Sequence, residues 1–190
     1  LDSVKFEIIP DDATRILKVQ AGELDAAEFI PYARVAELKA DTRLAMELFP
    51  STRVFYGNFN VRPQINGKDN PLANVKVRQA LNYATNKDAI IAIATQNVGK
   101  PMDSYMSSGT PLHYGNGPAY PFDPAKAKQL LTEAGYGDGF EVEMIVLAGN
   151  ADETTTAAAL QQMWSAIGVK LTLQQLDNAT RTDRYRKGDF

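Results

Sequence analysis

The chain has 190 residues, 44% of them hydrophobic, which suffices for one ordinary buried core. Its 20 lysines and arginines against 23 acidic residues leave a formal charge of -3 with no long basic run, which argues against a nucleic-acid partner. Without cysteine neither a disulfide framework nor a thiolate metal site can form, and no apolar run approaches the roughly 20 residues of a membrane-spanning helix.

Val4, Phe6 and Ile8 alternate with Lys5 and Glu7, the period of a half-buried strand, and Pro10-Asp11-Asp12 closes it. Folded pattern this close to Leu1, with no leader before it, reads as a piece of a longer protein. Asp12 is placed to cap a helix with an Ala13, Ile16 and Leu17 stripe, stopped at Gly22. Residues 25–29 and 43–49 read as short strands around a helix over 32–39, and residues 53–61 as a further strand.

From Asn74 the period becomes helical. Val77, Ala80, Leu81 and Ala84 share a face, and Asn86 caps a second helix through Ile90, Ile91 and Ala94. Residues 99–121, with Ser107-Ser108-Gly109 and Gly115-Asn116-Gly117, read as a long irregular loop. Asp123-Pro124 starts a helix with an Ala127, Leu130, Leu131 and Ala134 stripe that ends at Gly135. Phe140, Val142, Met144 and Val146 alternate as a strand. Leu160, Met163, Trp164 and Ile167 stripe a helix ending at Gly168, and Val169, Leu171 and Leu173 alternate again. Interleaved strands and helices predict an α/β or α+β fold with a mixed sheet.

A search for chemistry gives no catalytic or metal centre. His113 is the one histidine and reads as a loop residue, with no Gly-x-Ser-x-Gly elbow to accompany it. Gly135, Gly137 and Gly139 follow a helix and precede a strand, the reverse of a phosphate-binding loop, and read as a turn. Asp152 and Glu153 suit the start of a helix better than paired acid–base work.

The run from Asn74 to Ile90, Asn-Val-Lys-Val-Arg-Gln-Ala-Leu-Asn-Tyr-Ala-Thr-Asn-Lys-Asp-Ala-Ile, resembles the signature helix pair of the dipeptide and oligopeptide-binding family of ABC-importer receptors. Ala21-Gly22-Glu23-Leu24-Asp25-Ala26, the run from Asp123 to Tyr136, and Ile167-Gly168-Val169 agree with it in order and spacing. The resemblance implies a two-lobed periplasmic-binding-protein-like fold in which residues 1–190 form a single lobe. It implies an extracytoplasmic, non-enzymatic receptor that needs no cofactor. Its partners would be a peptide or similar small solute, the missing second lobe and a membrane permease.

Dipeptide-binding members of the family carry an arginine for the ligand carboxylate in the loop after the strand equivalent to residues 140–147. Here that loop, Ala148-Gly149-Asn150-Ala151-Asp152-Glu153-Thr154, has none, which favours an uncharged or cationic ligand group. Arg78 lies on a helix whose opposite face is core, and is read as solvated or salt-bridging. The candidate ligand residues, chosen where strands meet loops, are Tyr56, Asn58 and Asn60, Tyr105 and Met106, and Asn150 and Asp152, the last also a candidate cap. The rival readings are a hydrolase lobe and a ligand-sensing interaction module.

Overall fold

The computed structural model describes residues 2–49, 52–102, 104–115, 117 and 119–190. It divides the chain into two compact units, Leu1–Phe49 and Pro50–Phe190, described separately.

In the first unit, α1 (Asp12–Gln20) is capped by Asp11, whose carboxylate accepts from the Thr14 amide at 2.7 Å. The cap is therefore one residue earlier than expected, because it is Asp11 whose extended backbone aims a carboxylate at the third amide of the helix. Ile16 is buried on α1, and Val35 and Leu38 are buried on α2 (Val35–Ala40), which a 3-10 turn over Tyr32–Arg34 precedes. Arg15 ties the flanking chain to α1, donating to the carbonyls of Ile9 at 2.7 Å and Phe29 at 2.8 Å.

In the second unit residues 53–61, which form no helix or strand, are followed by a small antiparallel hairpin of β1 (Gln64–Ile65) and β2 (Lys68–Asp69). Its two-residue turn is Asn66-Gly67, both at positive φ, the chemistry such a turn demands. After a 3-10 turn at Pro71–Ala73 come α3 (Val75–Tyr83) and α4 (Lys87–Ala94), capped by Asn74 and Asn86. Residues 99–121 hold no helix or strand where described, and Asp103, Asn116 and Pro118 lie outside the described residues. Then α5 (Pro124–Glu133) begins with Pro124 at its first position and Asp123 accepting from the Lys126 amide, as its sequence demands.

Next come β3 (Phe140–Leu147), α6 (Ala151–Ser165), β4 (Val169–Leu176) and α7 (Asn178–Lys187). β3 and β4 pair in parallel, in register from Phe140 opposite Val169 to Leu147 opposite Leu176. α6 packs on both strands, α4 on α6, and α3 on α5. The core they enclose includes Val77, Ala80, Leu81, Ala127, Leu131, Trp164, Ile167, Val169 and Leu171. The expected stripes of α3, α5 and α6 thus serve as packing, and Trp164 is anchored by donating to the Thr85 hydroxyl at 3.0 Å.

Both strands start from glycines at positive φ, Gly139 and Gly168. A Cβ added at Gly139 would lie 1.9 Å from the Gly168 carbonyl oxygen, so only glycine lets the two strand entries approach this closely. The turn reading of Gly135, Gly137 and Gly139 holds, with the Gly139 amide donating to Tyr136 at 3.0 Å.

The segments 4–8, 25–29, 43–49 and 53–61 form no strand, contrary to the sequence reading. Alternation marks a strand only where a partner backbone accepts the ladder, and the sheets among the described residues are β1–β2 and β3–β4 alone. Phe6 and Ile8 are consequently 90% and 91% exposed. No helix among the described residues is long and apolar enough to cross a membrane.

Candidate functional site

Because β3 and β4 run in parallel and level, their exits, the loop 148–150 and Asp177, share one edge of the sheet. The Ala148 amide donates to the Leu176 carbonyl at 2.9 Å and joins them. This is the edge at which sheets of this kind receive ligands. Two helices start here: α6 is capped by Asn150, which accepts from the Glu153 amide at 2.9 Å, and α7 by Asp177, which accepts from the amides of Ala179 and Thr180. The Thr180 hydroxyl, and then the Thr180 amide, hold the Asp177 carboxyl below its ordinary value. Both helices turn the positive ends of their dipoles to this edge.

Between them lies an ion pair that the sequence reading missed. Glu153 accepts a 2.7 Å hydrogen bond from the Leu147 amide, and Arg181 of α7 reaches the same carboxylate at 3.2 Å. Both side chains are about four-fifths buried, at 21% and 22% exposure. The loop after β3 has no arginine of its own, yet a guanidinium arrives beside it from 28 residues further on. No local motif signals such a pairing; only the parallel register of β3 and β4 predicts that the residues following each strand meet.

The residues expected from sequence fall into three groups. Tyr56 and Tyr105 meet, their ring centroids 5.9 Å apart and tilted by 53°, and a hydrogen bond with Tyr105 raises the Tyr56 phenol above its ordinary value. Both rings remain largely exposed, as does Asn58. Half-buried Met106 lies one residue from Tyr105, and its carbonyl accepts from His113 Nδ1 at 2.9 Å and from the Ser104 hydroxyl at 3.0 Å, which braces this part of the loop.

Asn150 and Asp152 form the second group, at the start of α6. The cap is Asn150, not Asp152, since Asn150 has the extended backbone of a cap residue, and Asp152 sits half-buried in the first turn. Asn60 stands apart from both. It is buried, its side-chain amide donates to the carbonyls of Gly188 at 3.0 Å and Phe190 at 2.8 Å, and its oxygen accepts from the Arg62 amide. Asn70 clamps the same segment, donating to the carbonyls of Asn60 and Arg62.

All 190 residues match one family, described as bacterial extracellular solute-binding proteins, family 5 Middle. The chain belongs to this family. It is 35% identical over 194 residues to heme-binding protein A of Haemophilus influenzae, covering 100% of this chain and 34% of that protein. It is 33% identical over 181 residues to the glutathione-binding protein GsiB of Pectobacterium atrosepticum, covering 95% and 34%. Among solved structures, the dipeptide binding protein of Pseudoalteromonas sp. SM9913 in complex with Met-Leu is similar with a TM-score of 0.83 at 27% identity, over 95% of this chain and 35% of that one. The chain thus spans about a third of the length of these relatives.

In this family 5 chain the signature helix pair serves the fold. The Arg78 guanidinium donates to the carbonyls of Leu72 at 2.7 Å and Ala73 at 2.9 Å, locking the 3-10 turn that feeds α3, rather than facing solvent or pairing with a carboxylate. Those carbonyls precede the helix and need donors that the helix itself does not supply. Among the described residues no group of three or more His, Asp or Glu is arranged to hold a metal ion.

Proposed function

We propose that residues 1–190 are part of a two-lobed extracytoplasmic receptor that captures a peptide or similarly sized solute and hands it to an ABC importer in the membrane. The observation that carries this reading is the match of the whole chain to family 5 of the solute-binding proteins. Relatives named for binding heme, glutathione and dipeptides support a receptor role and differ in ligand.

The geometry supports a ligand surface in two parts: Tyr56, Asn58 and Tyr105, which offer exposed aromatic and amide groups, with half-buried Met106 beside Tyr105, and Asn150 with Asp152 at the carboxyl edge of the sheet. Asn60 belongs to the frame that holds this surface, because both hydrogens of its amide are used within the chain. Such a receptor breaks no bond. It encloses the solute between its lobes, desolvates it and presents the closed form to the permease.

Native mass spectrometry of the full-length protein tests this directly. A co-purified solute of peptide size, released unchanged on denaturation, is the expected result. Conversion of the solute by the protein would overturn the reading in favour of an enzyme.

A further inference from the structure

Two pairs of tyrosines meet among the described residues. Tyr83 and Tyr120 stand edge to face, with 5.3 Å between ring centroids and 83° between planes, and both are half-buried. In such a contact the edge of one ring points at the π-face of the other. Tyr56 and Tyr105 differ on each count. Their centroids are 5.9 Å apart with the planes tilted by 53°, their phenols share a hydrogen bond, and they are 52% and 74% exposed. That bond brings the two phenol ends together, and with them the ring carbons ortho to the oxygens. Both rings are carried on braced backbone. Gly57, beside Tyr56, lies against β3, where an added Cβ would come within 3.9 Å of Met144 Cε. Beside Tyr105, the Met106 carbonyl accepts from the Ser104 hydroxyl at 3.0 Å and from His113 Nδ1 at 2.9 Å.

This chain has no cysteine and so no thiols for oxidation to join, whereas two phenols held in this way offer it a different bond. We propose that Tyr56 and Tyr105 form an oxidative cross-linking site, at which a peroxide-driven one-electron oxidant closes a dityrosine bond between the long loop and the segment ahead of β1. The site is independent of the solute-receptor reading. Each phenol gives up one electron and its hydroxyl proton. The two radicals couple through one ortho carbon of each ring, and the hydrogens displaced from those carbons return to the oxygens, restoring both phenols. The pair loses two hydrogens in all, which reduce one molecule of hydrogen peroxide to two of water. The resulting carbon–carbon link fastens the loop around Tyr105 to the segment seated on β3, and narrows the unfolded ensemble as a cross-link between distant residues does.

The test treats the full-length protein with a heme peroxidase and hydrogen peroxide, then maps the cross-linked peptides by mass spectrometry. The expected product is a peptide pair joining Tyr56 to Tyr105 within one chain, lighter by two hydrogens than its parts. Tyr105→Phe keeps the ring and removes the phenol at an exposed position, and should take away most of the dityrosine formed by residues 1–190; Tyr56→Phe should do the same. Dityrosine undiminished in these variants overturns the proposal. So does a map dominated by Tyr83 with Tyr120, or by links between different chains, and so does a wild-type protein in which no dityrosine forms. Amide hydrogen exchange reads the staple itself: it should slow over residues 104–115 in the linked protein, and exchange unchanged there would show that the bond fastens nothing and overturn that role.

Discussion

The side-chain amide of Asn60 donates to the Gly188 carbonyl at 3.0 Å, joining residues 128 positions apart. With the second bond to Phe190 it fastens the segment that carries Asn60 to the chain leaving α7. Asn60→Ala takes the Asn60 donor from the Phe190 carbonyl and leaves the Gly188 carbonyl with Arg62 alone, and should cost about 1 to 3 kcal/mol of stability. Thermal unfolding of the variant checks this. A melting temperature equal to that of the wild type would show that water replaces both bonds.

At the start of α6 the capping and ligand roles separate between two residues. Asn150→Ala removes the acceptor for the Glu153 amide and should lower stability by about 0.5 to 2 kcal/mol. Asp152→Asn leaves that cap in place. In the full-length protein it should weaken solute binding by on the order of 1.5 to 3 kcal/mol, with a smaller effect on apo stability. Affinity and melting temperature measured side by side decide the matter, and a variant that loses stability but not affinity would remove Asp152 from the ligand surface.

The tyrosine pair gives an alkaline signature. The Tyr56 phenol is held above its ordinary value of 10.0, chiefly by the hydrogen bond with Tyr105. A raised folded-state value means that the contribution is complete below the unfolded value and is lost as pH rises through the folded one. Tyr105→Phe should return the Tyr56 titration toward about 10. Following the Tyr56 ring by NMR through an alkaline titration measures the shift, and an unmoved midpoint would show that the two phenols do not interact.

The cap of α7 gives an acid signature. The folded-state carboxyl of Asp177 lies below its ordinary value of 3.8, so the stability it adds is complete above that value and disappears as pH falls through the lower folded one. Asp177→Asn keeps an acceptor for the Ala179 and Thr180 amides without the charge. It should flatten the fall in melting temperature between about pH 2 and pH 5. An identical profile in the two proteins would show that other carboxylates govern the acid limb.

Local signals of helices were legible in the sequence. Asn86 and Asp123 cap where their chemistry places them, and the stripes of α3, α5 and α6 all enter the core. The alternation over residues 140–147 and from Val169 onward became a parallel pair, because each run found the other as its partner. The same alternation at Val4, Phe6 and Ile8 did not become a strand, since period alone cannot say whether a second backbone is at hand. α7 escaped notice because Asn178–Lys187 is strongly polar with no buried residue, and so lacks the apolar stripe by which helices are read.

At the site, the candidates near one another in sequence were recognised as neighbours, Asn150 with Asp152 and Tyr105 with Met106. The contact of Tyr56 with Tyr105 was not foreseen as a pair, and neither was that of Glu153 with Arg181. Both join segments separated by 28 residues or more, and such pairings follow from the register of the sheet and the course of the long loop rather than from spacing along the chain.

The close crossing of Gly139 and Gly168 fixes where β3 and β4 begin, at the end of the sheet away from the candidate site. Register set at the strand starts is carried along the backbone ladder to the Ala148–Leu176 bond, so it does not depend on the side chains of the loops beyond. Sequence change can accumulate over residues 148–152 and around Asp177 without shifting the strands against each other. A family whose members carry names for heme, glutathione and dipeptides can use such an arrangement to exchange one cargo for another on an unaltered frame. For anyone re-engineering the protein, the two glycines and the caps Asn150 and Asp177 are the positions to leave alone, and the remaining residues of the loops beyond Leu147 and Leu176 are the ones to vary.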